Sequence, residues 1–296
     1  MKHLLNIESL SVEQIDKIIS RTNDFENGLT CSNRSNAHIL NMFFENSTRT
    51  KMSFEMAINK INAKRYDFCA GSSSLNKGED IFDTINNLTA IGMKIVILRH
   101  SQNDLIDELA KKEYFHDISF VNAGSGTQSH PTQALLDFYT MKQHFGDIKG
   151  KIIVLTGDII HSRVAKSNIA LLKKYGAKIR CLAPVYFMGD EIQGVDYFEK
   201  IDEAFKGADI IMALRVQKER IKENIDIDSY VRNYRITRQN LPDNVFLMHP
   251  GPINKDIEIQ SDVLGMDCAK TILRQAQNGV YVRMAVLDIL LKQWGL

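Results

Sequence analysis

Short apolar segments alternate with amphipathic ones along the first half of the chain, and this pattern predicts strands alternating with helices. Apolar runs predict strands at 38–45, 65–70, 94–98 and 119–122, and helical periodicity predicts helices at 50–61, 79–91, 105–112 and 131–145. An earlier helix is predicted to start after Ser11, because Gln14 follows three residues later as in a capping box. Continuously apolar strands between helices indicate a parallel sheet covered on both faces.

The same rhythm restarts after a polar, glycine-flanked segment at 146–150. Strands are predicted at 151–156, 178–183, 208–214 and 245–248, with helices at 162–175, 198–206 and 280–294. We therefore predict an α/β protein of two Rossmann-like domains, each a parallel sheet flanked by helices. The first domain is 1–146 and the second 147–279, with a C-terminal helix at 280–296 packing back on the first domain. A length of 296 residues is consistent with two domains.

Composition argues against nucleic acid and membranes as binding partners. The chain has 37 basic and 36 acidic residues and a net charge of +1, so it lacks the clustered basic excess of a nucleic-acid-binding surface. Its apolar runs are all shorter than the roughly 18 residues of a membrane-spanning helix, and its N-terminus lacks the apolar core of a signal peptide. Four widely spaced cysteines form no zinc pattern. We expect a cytoplasmic protein with neither nucleic acid nor membrane as a partner.

The stretch after the first predicted strand is the strongest local candidate for a binding site. The apolar run ends in Ser47, Thr48, Arg49 and Thr50, and a predicted helix follows. The first N–H groups of a helix lack intrahelical partners and lie at the positive end of the macrodipole, which favours a bound anion. Arg49 adds a guanidinium that fits phosphate oxygens. The alternative is a simple N-cap, where serine and threonine are also preferred, and local features leave both interpretations open.

Polar side chains follow seven of the eight predicted strands, where ligands bind in open α/β sheets. Beyond residues 47–50, they are Ser72 to Lys77, Arg99, His130 with Gln133, Asp158 with Arg163, Arg215 with Gln217, and His249 to Pro252. Four of the strand ends carry arginine, so the predicted site is cationic and divided between the two domains. Its substrate should carry several negative charges. The expected chemistry is anion positioning and charge stabilisation, because no nucleophile is accompanied by a base.

Other site types fit the sequence less well. Residues 156–161 follow a strand but contain one glycine where a dinucleotide-binding turn needs three, and the phosphate-binding loop of nucleotide hydrolases does not occur. His161 and His249 have no partners at metal-ligand spacing and are better interpreted as structural. The alternative of a non-catalytic anion-binding protein remains until the motifs are considered together.

Five separated motifs together resemble those of the aspartate/ornithine transcarbamoylase family. Residues 44–50 (FENSTRT) resemble its carbamoyl-phosphate motif, and residues 130–133 (HPTQ) its second motif. Residues 74–79, 215–220 and 249–252 are similar to motifs of the aspartate-specific members, and the Ser-Met-Gly and His-Cys-Leu-Pro motifs of ornithine-specific members are missing. The positive charge of Arg215 also favours aspartate over ornithine as the acceptor, because it would attract the second carboxylate of aspartate and repel the side-chain ammonium of ornithine.

The resemblance implies a role for each matching residue. Ser47, Thr48, Arg49 and Thr50 would hold the phosphate of carbamoyl phosphate, while Arg99 and His130 would contact its carbonyl oxygen. Gln133 and the backbone of Pro250, Gly251 and Pro252 would hold the carbamoyl amino group. Arg49, Arg99 and His130 are the expected catalytic residues. The residues that would bind aspartate are Lys77, Arg163, Arg215 and Gln217.

The implied assembly is a homotrimer with shared active sites, because Lys77 and one of Ser72 to Ser74 would come from a neighbouring subunit. The implied reaction transfers the carbamoyl group to the α-amine of L-aspartate, an early step of pyrimidine synthesis, with no metal or organic cofactor. A different amino-acid acceptor is the alternative within the family. Asp80 and Gly251 depart from the family's usual threonine and larger apolar residue. Association with regulatory subunits or other pyrimidine-pathway enzymes is left open by the sequence.

Overall fold

A computed structural model describes residues 1–32, 34–220 and 225–296. The chain forms two compact units. The first consists of Met1–Leu136 and Asn278–Leu296, and the second of Asp137–Gln277. The C-terminal segment thus belongs to the first unit.

The first unit contains a four-stranded parallel sheet with helices packed on it. Its strands are β1 (Arg34–Phe43), β2 (Ala63–Phe68), β3 (Ile95–His100) and β4 (Ser119–Ser125), and their order in the sheet is β2-β1-β3-β4. Its helices are α1 (Val12–Glu26), α2 (Thr48–Lys60), α3 (Ile81–Ala90), α4 (Leu105–Lys111) and the first part of α5 (Pro131–Phe145). Strand β2 is an edge strand with mostly exposed side chains, whereas β4 is buried along its whole length.

Local sequence explains how these helices start and pack. The Gln14 backbone N–H donates to the Ser11 hydroxyl at 3.2 Å, and the Ser11 N–H donates to the Gln14 side chain at 3.0 Å, which confirms the predicted capping box. Helix α2 places Phe54, Ala57 and Ile58 on one face, and all three are fully buried. Burial of this apolar face against the sheet stabilises a helix of this length more than its intrinsic propensity does.

The second unit contains a five-stranded parallel sheet. Its strands are β5 (Ile152–Thr156), β6 (Lys178–Leu182), β7 (Val195–Phe198), β8 (Ile210–Ala213) and β9 (Phe246–Met248), in the order β7-β6-β5-β8-β9. Its helices are α6 (Arg163–Lys174), α7 (Val185–Met188), α8 (Ile201–Phe205), α9 (Ile227–Tyr234) and the first part of α10 (Lys270–Lys292), together with the end of α5. Two parallel sheets flanked by helices confirm the predicted fold class.

Several elements of the second unit differ from the prediction, which did not include β7 or the short helix α7. Phe198 ends strand β7 and α8 begins at Ile201, so the predicted helix at 198–206 is wrong at its start; β7 is a short edge strand with only Val195 buried. Helix α9 was missed because Tyr230 and Tyr234 are its only buried residues in a polar segment. Helix α10 begins at Lys270, whereas the predicted helix began at 280. The prediction missed the first turns because they bury polar residues such as Gln275, which resemble surface positions in the sequence.

Among the described residues, no helix combines the length and apolar character needed to cross a membrane.

Candidate active site

The carboxyl edge of the first sheet collects most of the predicted phosphate-binding residues. Phe43 of β1 pairs in register with Arg99 of β3, and the Phe44 N–H donates to the Arg99 carbonyl at 2.9 Å. These bonds hold the chain leading to residues 47–50 directly beside Arg99. Arg99 is the fifth residue of β3 and therefore lies within the strand, whereas the sequence placed it just after the strand's end.

The start of helix α2 is arranged differently from a simple capped helix. Ser47 occupies the N-cap position with extended backbone, yet among the described residues its side chain makes no capping hydrogen bond to the first turn. Thr48 and Arg49 are exposed, and Thr50 is buried. The N-cap interpretation of Ser47 therefore does not account for its hydroxyl. An anion at this helix start would receive N–H and hydroxyl donors together with the positive end of the helix dipole.

Buried donors lie at the end of β3 and after β4. The Arg99 side chain is largely buried, where its Nη1 donates to the Ala123 carbonyl at 3.2 Å and its Nε lies 3.4 Å from the Glu45 carboxylate. His130 and Gln133 are buried at the start of α5, and the Gln133 N–H donates to the His130 carbonyl at 3.0 Å. Sequence analysis assigned no role to Glu45, although it lies within the first motif. Its carboxylate helps to fix the guanidinium of Arg99 at the sheet edge.

Lys77 lies on an exposed part of the first unit. It ends a 3₁₀ turn, Ser74–Lys77, and Gly78 follows at φ +93°, a left-handed conformation that favours glycine. The Ser74 hydroxyl donates to the Glu79 carboxylate. Asp80, which departs from the family pattern, is the N-cap of α3 and accepts the Asp83 N–H at 2.8 Å. An aspartate cap performs the structural task of a threonine cap at this position.

In the second unit, a buried carboxylate joins the loops after β5 and β8. Asp158 is fully buried and accepts the His161 N–H at 3.3 Å and the Gln217 N–H at 3.1 Å. The Gln217 side chain donates in turn to the His161 carbonyl at 2.9 Å. Arg163 follows at the first position of α6, whose N-cap Ser162 accepts the Ala165 N–H at 3.1 Å. These hydrogen bonds thus join the segment that carries Gln217 to the segment that leads into Arg163, and both residues are predicted to bind aspartate.

The guanidinium of Arg215 binds the carboxylate of Glu219. Its Nη1 and Nη2 atoms each donate to a different oxygen of Glu219 at 2.7 Å. Partial burial alone would raise the pKa of Glu219, but the bonds and charge of Arg215 outweigh it and lower that pKa. The two Nη atoms of Arg215 therefore bind Glu219 in the bidentate geometry that arginine uses for carboxylates.

The loop after β9 is fixed by a chain of buried side chains. The His249 N–H donates to Gln275 at 2.9 Å, and the Gln275 amide donates to Asp137 at 2.8 Å. The Gly251 N–H donates to His249 Nδ1 at 2.7 Å. His249 is thus a structural residue that shapes the backbone at Gly251 and Pro252, which are joined by a cis peptide bond.

Sequence reasoning missed two further residues near this edge. The carboxylate of Glu258 accepts the N–H of Val216, the residue between Arg215 and Gln217, at 2.8 Å. Asn254 donates to the Val216 carbonyl at 3.1 Å. Neither residue belongs to a motif or directly follows a predicted strand, so no signal in the sequence pointed to them.

The structure therefore places the predicted residues at two sheet edges. The first unit holds Ser47, Thr48, Arg49, Thr50, Arg99, His130 and Gln133, and the second holds Arg163, Arg215, Gln217, Gly251 and Pro252. Parallel sheets with arginine and other donors at their carboxyl edges are typical of α/β proteins that bind anionic ligands.

Comparison with known proteins identifies the family. Residues 2–143 match the carbamoyl-P binding domain of aspartate/ornithine carbamoyltransferases, and residues 149–290 match the Asp/Orn binding domain. The chain belongs to the aspartate/ornithine carbamoyltransferase family.

Three relatives illustrate the similarity. The aspartate carbamoyltransferase catalytic subunit of Oceanobacillus iheyensis is 40% identical over 300 residues, which cover 100% of this chain and 95% of that protein. The catalytic subunit of M. jannaschii aspartate transcarbamoylase superposes with a TM-score of 0.87 at 27% identity, covering 99% of each chain. The aspartate transcarbamoylase of Trypanosoma cruzi in complex with carbamoyl aspartate and phosphate superposes with a TM-score of 0.85 at 27% identity, covering 97% of this chain and 94% of the other.

Proposed function

We propose that this chain is an aspartate carbamoyltransferase, which transfers the carbamoyl group of carbamoyl phosphate to the α-amine of L-aspartate. The products are N-carbamoyl-L-aspartate and phosphate. The observation that carries the choice of acceptor is the place of Arg215 on the segment that follows β8, two residues before Gln217, where its guanidinium binds the Glu219 carboxylate at 2.7 Å from both Nη atoms. The permanent positive charge of Arg215 would attract the additional carboxylate of aspartate and repel the side-chain ammonium of ornithine. The relative from Trypanosoma cruzi, with carbamoyl aspartate and phosphate bound, supports the same acceptor.

Carbamoyl phosphate is assigned to the edge of the first sheet. Ser47, Thr48, Arg49 and Thr50 bind its phosphate, using hydroxyl, guanidinium and helix N–H donors. Arg99 and His130 donate to its carbonyl oxygen. Gln133 binds the amino group, and the family resemblance implies that the backbone of Pro250, Gly251 and Pro252, in the second unit, binds it as well.

The reaction needs positioning and charge stabilisation. The lone pair of the aspartate amine attacks the carbonyl carbon, and the C–N bond forms as the bond from that carbon to the phosphate oxygen breaks. Donors from Arg99 and His130 stabilise the negative charge that develops on the carbonyl oxygen. Arg49 stabilises the departing phosphate, and a phosphate oxygen accepts the amine proton. Arg163, Arg215 and Gln217 hold the carboxylates of aspartate so that its amine faces the carbonyl carbon.

The proposed assembly is a homotrimer in which Lys77 and the serines at 72–74 serve the site of the neighbouring subunit. Two observations support a subunit interface on this side of the first unit. Strand β2 is an edge strand, and Met52, Met56 and Tyr66 on and beside it are 56%, 48% and 40% exposed. Large exposed apolar side chains next to an open sheet edge are typical of association surfaces.

The function is tested by incubating the purified chain with carbamoyl phosphate and either L-aspartate or L-ornithine, and measuring carbamoyl aspartate and citrulline. We expect carbamoyl aspartate only. Citrulline as the main product would show that the acceptor is wrong. Tight binding of phosphate with neither product would favour the alternative of a non-catalytic anion-binding protein.

A further inference from the structure

Val216 is the buried residue between the two proposed aspartate ligands, Arg215 and Gln217. Its side chain is fully buried, so it cannot contact a substrate. Both of its backbone polar groups are nevertheless bound by side chains from a later part of the sequence. Its N–H donates to Glu258 Oε1 at 2.8 Å, and its carbonyl accepts from Asn254 Nδ2 at 3.1 Å. The backbone that sets the directions of Arg215 and Gln217 is therefore fixed on both of its hydrogen-bonding sides.

Glu258 and Asn254 also bind each other. Asn254 Nδ2 donates to Glu258 Oε1 at 2.7 Å, and the Asn254 backbone N–H donates to Glu258 Oε2 at 2.7 Å. Both oxygens of the carboxylate are thus occupied, and the asparagine amide bridges the carboxylate and Val216. These short bonds form a closed ring of three residues.

The chemistry of this ring requires a carboxylate. Glu258 is 2% exposed and accepts three N–H groups, from Val216 and from the backbone and side chain of Asn254. An ionised carboxylate accepts on both oxygens, whereas a glutamine in its place would offer one acceptor and one NH₂ donor. Burial raises the pKa of Glu258, and the N–H donors from Val216 and Asn254 counteract this rise. A buried charge at this position costs free energy unless those donors remain in place.

The ring is anchored independently of the loop that it holds. The Glu258 carbonyl accepts the Ile236 N–H at 2.9 Å, and the Ile236 carbonyl accepts the Gln260 N–H at 2.9 Å. The segment carrying Glu258 is therefore bound to the chain that follows α9, and it can act as a fixed support for Val216.

We propose that Glu258, with Asn254, is a positioning residue for aspartate, holding the backbone of Val216 so that Arg215 and Gln217 face the acceptor carboxylates. The inference rests on the proposed function and deepens it. Neither Glu258 nor Asn254 contacts the substrates in this assignment. Their removal should therefore weaken the binding of the acceptor rather than the binding of carbamoyl phosphate.

The test compares Glu258→Gln and Asn254→Ala with wild type, measuring KM for aspartate, KM for carbamoyl phosphate, kcat and Tm. We expect KM for aspartate to rise about 10-fold or more in Glu258→Gln, as for loss of a hydrogen bond to a charged group, and about 5-fold in the milder Asn254→Ala. KM for carbamoyl phosphate should stay within about twofold, since a shift smaller than about 0.4 kcal/mol is within ordinary variation. The inhibition constant of succinate, a dicarboxylate without the amine, should rise in parallel with KM for aspartate.

Asp209→Asn is the matched control. Asp209 lies at the opposite, amino edge of the same sheet, where it accepts the Ile152 N–H and the Lys151 ammonium, each at 2.9 Å. Its substitution should lower Tm and leave the KM values unchanged. If Asn254→Ala and Glu258→Gln behave like this control, or if both KM values rise together, the positioning role is wrong while the proposed function stands. If wild type forms no carbamoyl aspartate, the proposed function fails and this inference fails with it.

Discussion

Arg215 and Glu219 lie four residues apart in the segment after β8 and join through two parallel hydrogen bonds, each 2.7 Å long. An arginine carries five N–H donors, so two of them can bind Glu219 while others remain for a substrate carboxylate. The contact therefore orients the guanidinium without exhausting its capacity.

We expect Glu219→Gln to raise KM for aspartate about fivefold, because Arg215 loses the partner that restricts its rotamers. The effect is modest, since the side chain of Glu219 is 54% exposed and exposed ion pairs contribute at most about 1 kcal/mol. Steady-state kinetics at low ionic strength measures the change. A decrease in KM would show instead that Glu219 competes with the substrate carboxylate.

Arg49→Ala should fold normally and lose at least about 10²-fold in turnover, the scale of one transition-state donor. Arg49 is exposed at the start of α2, so its removal leaves the core of the first unit unchanged. Circular dichroism tests whether the variant folds, and turnover at saturating substrate tests the loss of activity. Arg232→Ala is the control, because that arginine is also exposed and lies in an ion pair with Asp226 in the other unit. Wild-type turnover in Arg49→Ala would contradict the phosphate assignment.

Lys77→Ala and Arg49→Ala should each be inactive alone and regain partial activity when mixed. In a trimer with shared sites, some mixed interfaces combine an intact Arg49 from one subunit with an intact Lys77 from the other. The mixture is incubated under mild dissociating conditions, returned to assay buffer and compared with each variant treated alone. Lack of any recovery, with subunit exchange verified by mass spectrometry, would contradict the shared site.

His3 predicts a pH dependence of stability. Its Nδ1 accepts the Phe120 N–H at 3.1 Å, and its ring stacks on that of Phe120. Burial, with a smaller effect from Lys2, lowers the pKa of His3 from 6.5 to about 4. Between pH 6.5 and about 4, the unfolded chain therefore binds more protons at His3 than the folded chain does, and stability falls as the pH falls.

Urea unfolding at several pH values across that window measures this contribution. We expect the free energy of unfolding of His3→Phe to decrease less between pH 6.5 and pH 4 than that of wild type, although its value at pH 7 is lower because the Phe120 N–H loses its acceptor. His116→Phe provides the control, since His116 is exposed. Equal slopes for wild type and His3→Phe would rule out the proposed titration.

The sequence was most informative where local chemistry controls the outcome. Ser11 with Gln14 predicted the capping box, and Pro131 predicted the first residue of α5. The residues following apolar strands could be predicted to gather at a sheet edge, because parallel strands bring their carboxyl ends together. It was least informative for short edge strands such as β7 and for α10, whose early turns bury polar residues that resemble surface positions.

The sequence by itself determined the fold class, the polar residues at the strand ends and the family, because each depends on local periodicity or on contiguous motifs. Only the tertiary structure decided what holds those residues in place. Glu258 supports Val216 from 42 positions away, and Asp158 supports Gln217 from 59 positions away. Such contacts arise when folding excludes water from a buried carboxylate and leaves backbone N–H groups as its partners. No local pattern specifies which N–H groups those will be.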